Sequence, residues 1–414
     1  MKKLLVVLMA LVLLCLSACG TLVEDSYLVV GKHSEQPTEP TESLSEEDSP
    51  TVVRNRSELR GTVLSCIRDW VERDTILVED YEGSLDDDLS EILLYATQED
   101  PIGAYAVDFV DAELTGDASS GSIALSIVFR RSAAEIDSII TVNDTASALR
   151  RIQQALISYE TALTLRIRSY LDQDFAEYIR QYCLNNPNLI LAIPELSAEV
   201  YPQGGETRIL ELHFTYSDTR EDMRLMLSSV NTILGSASSY INSGENDTER
   251  LELLARFLST RFQYKLGESE PSMPAYELLC QGQAHSLSFA TVFRYECDKA
   301  EIECWMVSGQ RGEQAHYWNI VCLEGVYYHV DLMRGIELGE SSLTLLSAEE
   351  LLAEGYAWDM ESYPSNPEPE ETTAPEIQQP EPTEENQPSE TTQESEEPTE
   401  ETQTEPTEES TQEP

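Results

Sequence analysis

Basic residues are scarce in this chain: 26 of its 414 residues are Lys or Arg, 77 are Asp or Glu, and the formal net charge at pH 7 is −51. Binding to nucleic acid requires a basic surface that contacts phosphates. We therefore expect no nucleic-acid partner. The chain also has only five histidines, and no cofactor is indicated by any motif.

Paired cysteine motifs are missing as well. The cysteines beyond the N-terminal segment are Cys66, Cys183, Cys280, Cys297, Cys304 and Cys322. An oxidising compartment would permit disulfides, but pairing cannot be deduced from scattered positions. We expect buried free thiols.

Long hydrophobic runs are absent except at the N-terminus, where residues 4–16 are apolar and follow two lysines. This run is too short to span a bilayer and is typical of a secretory signal. Leu16, Ser17 and Ala18 then precede Cys19, and these four residues resemble the lipobox of bacterial lipoproteins. The resemblance implies a lipid on Cys19 and anchoring in the cell membrane, on the extracytoplasmic face.

Both ends of the mature chain are poor in apolar residues. Residues 31–50 are rich in Pro, Thr, Ser and Glu, and residues 361–414 contain 18 Glu and no Lys or Arg. Such segments cannot bury enough apolar area to offset the entropy lost on ordering. We predict a flexible N-terminal linker and a disordered acidic tail. Without the glutamates of the tail the net charge is still −33, so the folded part is acidic too.

The region after the linker contains an internal repeat. Residues 75–101 resemble residues 161–187, with Leu85 aligned to Leu171, and a similar alternation of apolar residues starts at Ile123 and at Leu210. Each copy reads as strand, helix, strand, turn, strand and helix, which predicts a sheet covered by helices. Neither copy contains a catalytic constellation, so we expect the copies to bind, space or pack.

A different set of motifs follows the repeats. In chain order they are "AYELL" from residue 275, Gly282, "AEIEC" from residue 300, "HYWN" from residue 316 and "YHVD" from residue 328. Their order and spacing resemble the core of the bacterial transglutaminase-like domains, relatives of papain in fold. The resemblance covers about a fifth of the chain. It implies a Cys nucleophile, a His base and an Asp that orients the His, and His316 and Asp331 match the last two.

The predicted hairpin supports the pairing of these two residues. A two-residue turn at residues 324–325 would place Trp318 opposite Asp331. Because His316 lies two residues from Trp318 on the same face, we expect it to be a diagonal neighbour of Asp331. A carboxylate in that place would fix the imidazole tautomer, as in a catalytic triad.

The nucleophile position is occupied by either Ser286 or Cys280. In the family, about sixteen residues separate the nucleophile from the Ile of the next strand, which favours Ser286, since Ile302 follows it at that distance. We also expect Ser286 to begin a helix, where free N–H groups support an anion. Cys280 would end a short helix that is stopped by Gly282, where a thiol is not helped to ionise.

A serine at this position favours loss of catalysis, because an alkoxide is not accessible near pH 7 as a thiolate is. Ser288 also replaces the Gly of the family motif, and "DLMRG" after Val330 lacks a second acidic residue. We therefore expect a catalytically silent domain that binds or scaffolds a protein or peptide ligand at its cleft. The alternative is an active transglutaminase-like or peptidase-like enzyme, which would use Ser286 or Cys280 with His316 and Asp331.

A metal site formed by His285, His316 and His329 is the remaining alternative. The alternation of side chains predicts His316 and His329 on opposite faces, and no His, Cys or Asp cluster has the spacing of metal ligands. We therefore expect no metal.

The sequence thus predicts an α+β protein in which duplicated α/β-sheet units precede a transglutaminase-like, papain-like domain. The predicted segments are 1–18, a lipoprotein signal peptide; 19–56, the lipidated N-terminus and linker; 57–158 and 159–245, the two repeat units; 246–360, the transglutaminase-like domain; and 361–414, the acidic tail.

Overall fold

The computed structural model describes residues 51–261, 265–266, 269–339 and 342–367. These residues form a mixed α/β protein with three four-stranded sheets and one two-stranded sheet. The predicted signal peptide, Cys19, most of the predicted linker and residues 368–414 of the predicted tail lie outside the described residues. Within the described part of the chain, every helix is too short or too polar to cross a membrane.

The chain divides into two compact units. Unit 1 contains the described residues up to Gly235 together with residues 265–266 and 269–285, and unit 2 contains residues 236–261 together with the described residues from Ser286 onward. The predicted third domain therefore does not begin as one continuous segment, because residues 265–266 and 269–285 fold with the repeats.

The first copy of the repeat opens unit 1. Its elements are β1 (Val52–Asn55), α1 (Arg56–Arg68), β2 (Arg73–Glu82), α2 (Leu85–Gln98), α3 (Pro101–Ala106), β3 (Val107–Gly116) and β4 (Ser120–Phe129). The strand order is β1-β2-β4-β3, with β1 parallel to β2 and the other pairs antiparallel. Apolar residues of one sheet face, such as Ile76 and Ile123, pack with Leu59 of α1 and Ile92 of α2 in one core. Burying this face removes apolar area from water and stabilises the layer pair.

The second copy has the same strand order. After α4 (Ala133–Asp137), its elements are β5 (Ile140–Asp144), α5 (Thr145–Ser158), β6 (Ala162–Ser169), α6 (Phe175–Asn185), β7 (Glu195–Tyr201) and β8 (Arg208–Thr215). The order β5-β6-β8-β7, with β5 parallel to β6 and the other pairs antiparallel, repeats that of the first copy. The long helix α7 (Arg220–Ile241) follows.

The copies begin earlier along the chain than the sequence predicts. Residues 52–55 were assigned to the linker but form β1, because Val52 and Val53 pair with β2 and Val53 is fully buried. The strand β5 and the helix α5 were assigned to the first copy. They belong to the second, because β5 pairs with β6 and α5 packs against both strands.

The predicted alignment of Leu85 with Leu171 is wrong. Leu85 is the first residue of α2 and is 5 % exposed, whereas Leu171 precedes α6 and is 72 % exposed. Phe175, the first residue of α6, takes the buried place instead. The loop between β6 and α6 is longer than the loop between β2 and α2, so the acidic pattern of the first helix was matched to a loop.

The remaining elements are shared between the units. They are α8 (Asp247–Thr260), β9 (Lys265–Leu266), α9 (Pro274–Leu279), β10 (Gln283–Ala284), α10 (Ser286–Lys299), β11 (Cys304–Arg311), β12 (Gln314–Leu323), β13 (Val326–Val330), α11 (Leu332–Glu337), α12 (Ala348–Ala353) and β14 (Tyr356–Trp358). In unit 2 the antiparallel sheet has the order β13-β12-β11-β14, and α10 packs on β11 and β12.

The ordered part of unit 2 extends past residue 361, where the sequence predicts the tail to begin. The hydroxyl of Tyr363 accepts a hydrogen bond from the Ser308 N–H, and the side chain of Asn366 bonds to both the N–H and the carbonyl of Tyr327. These contacts fasten the segment to the sheet because they satisfy backbone groups that its strands leave unpaired.

Candidate functional site

His316 and Asp331 are in contact, at the place where the hairpin register predicts. The strands β12 and β13 pair from Leu323 with Val326 to Asn319 with Val330. Continuing this register by one pair sets Trp318 against Asp331. His316 is thus the diagonal neighbour of Asp331, and its Nε2 lies 2.7 Å from Asp331 Oδ2.

Asp331 is buried and is held by three donors. It follows β13 directly and caps α11, where its Oδ1 accepts the Arg334 N–H at 3.0 Å. Its Oδ2 accepts hydrogen bonds from His316 and from the hydroxyl of Tyr356, the latter at 2.7 Å. Burial alone would raise the pKa of Asp331, but the bonds from His316, Tyr356 and Arg334 outweigh it and leave the pKa below its ordinary value. The carboxyl is therefore ionised.

An ionised Asp331 fixes the tautomer of His316. When the neutral imidazole donates its Nε2–H to the carboxylate, Nδ1 keeps the lone pair and becomes the basic atom. The ring is also held by neighbours: it stacks on Trp318 with centroids 6.2 Å apart and meets Tyr356 edge-on at 5.7 Å. Burial, orientation and a carboxylate partner together give His316 the surroundings of a general base.

His329 lies on the same sheet face as His316, and the expectation that the two histidines face apart is wrong. His329 pairs with Ile320, which lies four residues after His316 in β12, so both rings leave the same face. Trp318 stands between them and donates its indole N–H to His329 Nδ1 at 2.9 Å. Burial lowers the pKa of His329 to about 4, so this ring is neutral. No group of three metal-ligating side chains comes together within the described ranges.

Gly309 makes room for this aromatic face. It is the cross-strand neighbour of His316 in β12 and of Trp358 in β14. A Cβ at this position would lie 2.6 Å from a ring carbon of Trp318 and 2.4 Å from the carbonyl oxygen of Ala357. No side chain fits there without displacing the indole or the strand.

Ser286 begins α10, as the sequence predicts, and is buried. In the described part of the chain, however, Ser286 and His316 share no hydrogen bond. The helix α10 covers the opposite face of the sheet: Asn319 donates to the Ala290 carbonyl at 3.0 Å from that face. The hydroxyl of Ser288 is buried there and has no partner among the described residues. His316 and Asp331 are thus hydrogen-bonded to each other, and Ser286 is bonded to neither of them in the described part of the chain.

Cys280 lies in the other unit, as the C-cap of α9. Its thiol is free and exposed, which contradicts the expectation that all six cysteines are buried. Partial burial raises the pKa of this thiol, and no cation or helix N-terminus opposes that effect. The group therefore lacks the thiolate character of an activated nucleophile.

Tyr356 is the site residue that the sequence did not reveal. It comes from β14, which joins the sheet beside β11 after two intervening helices. No local pattern points to it, because its contact with Asp331 spans 25 residues. Burial and then the charge of Asp331 raise the pKa of Tyr356 far above its ordinary value, so the hydroxyl stays protonated and donates.

No family model and no curated protein match the sequence. Two solved structures are distantly similar. One, a candidate cysteine protease from Cytophaga hutchinsonii, is 12 % identical over 40 % of this chain and 70 % of that chain, with a TM-score of 0.23. The other, a transglutaminase, is 10 % identical over 50 % of this chain and 60 % of that chain, also with a TM-score of 0.23. Both similarities are weak.

Proposed function

We propose that unit 2 is a transglutaminase-like domain that binds a peptide or protein side chain at the cell envelope and does not turn it over. The observation that carries this proposal is the contrast within the site. The His316–Asp331 pair is complete and buried, whereas Ser286, which the sequence predicts at the nucleophile position, makes no hydrogen bond to His316 in the described part of the chain. Binding needs only the His316–Asp331 pair, whereas acyl transfer also needs a nucleophile that is hydrogen-bonded to the base.

The chemistry of the site suits an amide ligand. His316 Nδ1 offers an acceptor for an amide N–H, and the aromatic side chains of Trp318 and Tyr356 pack against the imidazole. In an active enzyme, the same imidazole would take a proton from the nucleophile. A hydroxyl requires that transfer during attack, since its own pKa lies far above neutral pH.

The proposed location follows from the N-terminal motif. We propose that Cys19 carries a lipid and that the folded units stand outside the cytoplasm on a flexible linker. Mass spectrometry of the N-terminal peptide tests this: a diacylglyceryl-modified Cys19 is expected. An unprocessed Met1 terminus in the purified protein would refute it.

The decisive experiment measures turnover and binding in the same protein. With a glutamine-containing peptide library and a labelled amine acceptor, we expect the wild-type chain to form no more product than Ser286→Ala does. The same library is expected to yield peptides that bind the wild-type chain. Their affinity should fall by about tenfold or more in His316→Ala, because truncation removes both the acceptor nitrogen and the packed ring.

The matched control is His213→Ala, which removes a half-exposed imidazole in unit 1. It should leave peptide binding unchanged. Turnover that is lost in both Ser286→Ala and His316→Ala would show a serine enzyme and end the proposal of catalytic silence.

The second candidate is an active acyl-transfer enzyme. It is favoured by one observation, the contact of His316 Nε2 with Asp331, since a neutral ring that donates from Nε2 has Nδ1 free to accept a proton. It would use Ser286, or Cys280 if the thiol served instead. Turnover that survives Ser286→Ala and disappears in Cys280→Ala would select the thiol, and rapid labelling of native Cys280 by a thiol electrophile at pH 7 would support it.

A further inference from the structure

A cavity of about 840 Å³ lies in unit 1 at the seam between the two repeat copies. One wall comes from the end of α2 and from α3, and the other comes from the end of β7 and the loop of residues 202–207. The volume falls within the roughly 300–1,000 Å³ of small-molecule sites. Neither copy alone provides both walls, so the cavity is a product of the duplication and not of the single repeat.

Two tyrosines form the rigid part of its lining. The ring of Tyr201 meets Tyr105 edge-on at 5.6 Å and lies 5.9 Å from the guanidinium of Arg130. The ring of Tyr95 is covered on one side by the guanidinium of Arg60 at 3.8 Å. Because these rings are held in place by the protein, a ligand that stacks on them does not have to order them.

The rim of the cavity is polar and carries no net positive charge. The polar side chains that line it are Thr97, Gln98, Glu99, Gln203, Glu206 and Thr207. The one cation among the lining residues, Arg130, already donates to the carbonyls of Ala104 and Val107 at 2.9 and 2.7 Å. The two carboxylates outnumber it and disfavour an anionic ligand. The hydroxyls of Thr97 and Thr207 and an amide N–H of Gln203 already donate to backbone carbonyls. The rim therefore presents the amide of Gln98 beside hydroxyl and carboxylate acceptors.

From this lining we infer that the cavity binds a short neutral oligosaccharide. A sugar ring has a C–H face that packs on a tyrosine and a perimeter of hydroxyls that both donate and accept hydrogen bonds. A peptide would need separate pockets for alternate side chains, and the cavity is a single groove with a polar rim. The site is independent of the His316–Asp331 pair, since every lining residue belongs to the repeats.

The experiment uses the full chain and three neutral probes: cellotetraose, maltotetraose and chitotetraose. Calorimetric titration should show that at least one of them binds. The blocking variant is Gly204→Tyr, because a Cβ on Gly204 meets no atom within 4 Å and the new ring would project into the groove from its loop. We expect this variant, and Gln98→Ala on the other wall, to weaken binding by about tenfold.

The matched control is Gly61→Tyr. This substitution also meets no atom within 4 Å, and Gly61 does not line the cavity. It should leave the affinity unchanged. The inference is overturned if none of the three tetrasaccharides binds, or if Gly204→Tyr and Gly61→Tyr bind the sugar equally well. Binding of a peptide that depends on Gly204, without any sugar binding, would also overturn it and mark the groove as a peptide site.

Discussion

Two buried carboxylates, Glu211 in unit 1 and Asp331 in unit 2, have similar neighbours but different chemical consequences. Glu211 accepts hydrogen bonds from Arg131 and from the hydroxyl of Tyr105 at 3.3 Å, and its Oε1 lies 3.4 Å from Nε2 of His213. It is 4 % exposed and lies on β8, where the first copy contacts the second. Its charge is balanced by a guanidinium, which is protonated at every accessible pH.

Asp331 accepts hydrogen bonds from the hydroxyl of Tyr356 and from Nε2 of His316, and the positive charge of Arg311 acts on it without an ion pair between the two described side chains. The side chain at 2.7 Å is thus an imidazole, which has both donor and acceptor nitrogens, whereas a guanidinium only donates. A buried carboxylate with a tyrosine and a histidine is thus not a sign of function in itself. In the first cluster a guanidinium contacts the carboxylate directly, and in the second cluster an imidazole takes that place.

The largest effect is expected when the permanent cation is removed. Arg131→Met leaves Glu211 buried without its charged partner, and breaking a buried pair in this way costs about 3–5 kcal/mol. Because the Arg131 side chain is 23 % exposed, we expect about 3 kcal/mol. Hydrogen exchange measured on β8 and β12 should show the loss in unit 1 alone.

The control for this variant is Arg150→Met, at an exposed arginine whose side chain contacts Ser147. Its cost should stay within about 0.5 kcal/mol. Adding Glu211→Gln to Arg131→Met should recover part of the loss, since the unpaired charge is then gone. Without such a recovery, the Arg131–Glu211 ion pair would not be what stabilises the contact between the two copies.

A third buried carboxylate, Glu296 of α10, sharpens the comparison because no described cation forms an ion pair with it, and Lys299 acts on it only through its charge. It accepts a bond from Ser238, its Oε1 has no partner among the described residues, and burial raises its pKa to about 7 despite that bond. Between pH 4.5 and about 7, Glu296 therefore keeps its proton in the folded chain and loses it in the unfolded chain, where its pKa has the ordinary value of 4.5. Stability should fall as pH rises from 4.5 through 7, by on the order of 3 kcal/mol.

Chemical denaturation followed at pH 5 and pH 8 measures this dependence. In Glu296→Gln the difference between the two pH values should largely disappear, whereas Glu303→Gln, at an exposed position, should keep it. A wild-type protein that is equally stable at both pH values would contradict the effect of burial on Glu296.

The smallest effect is expected for Tyr356→Phe. Asp331 keeps its bonds to His316 and Arg334, so the loss of one hydrogen bond should cost about 1 kcal/mol. The lowered pKa of Asp331 contributes stability that is present above its unfolded value and is lost as pH falls through its folded value. The acid unfolding midpoint of Tyr356→Phe should therefore shift to higher pH.

Tyr327→Phe is the matched control, because the hydroxyl of Tyr327 makes no hydrogen bond to a described residue. It should leave the acid midpoint in place. An equal shift in both variants would show that the effect comes from removing a hydroxyl in general and not from the bond to Asp331.

Turn geometry and side-chain alternation predicted contacts within a single hairpin. The contact of His316 with Asp331 follows from a two-residue turn and the alternation of side chains, because a tight hairpin fixes its own register. The prediction from the same alternation was wrong for His329. Its pairing with Ile320, which lies four residues after His316, places both histidines on one face.

Long-range features could not be predicted in this way. Strand β1 was assigned to the linker because four residues next to a polar segment carry little pattern, and only pairing with β2 makes them a strand. Tyr356 reaches Asp331 through the order of the sheet, which depends on packing of the whole unit. The match of Leu85 to Leu171 failed for a related reason, since composition alone does not reveal an inserted loop.

Position 309 influences the orientation of the His316 ring, although Gly309 does not contact Asp331. Because the indole of Trp318 rests against its Cα, any added methyl group would tilt that ring and, with it, the stacked imidazole. The orientation of the imidazole can therefore be changed from the neighbouring strand, without altering either member of the pair. Natural or laboratory selection could retune this domain through position 309, and sequence comparison limited to His316 and Asp331 would miss the change.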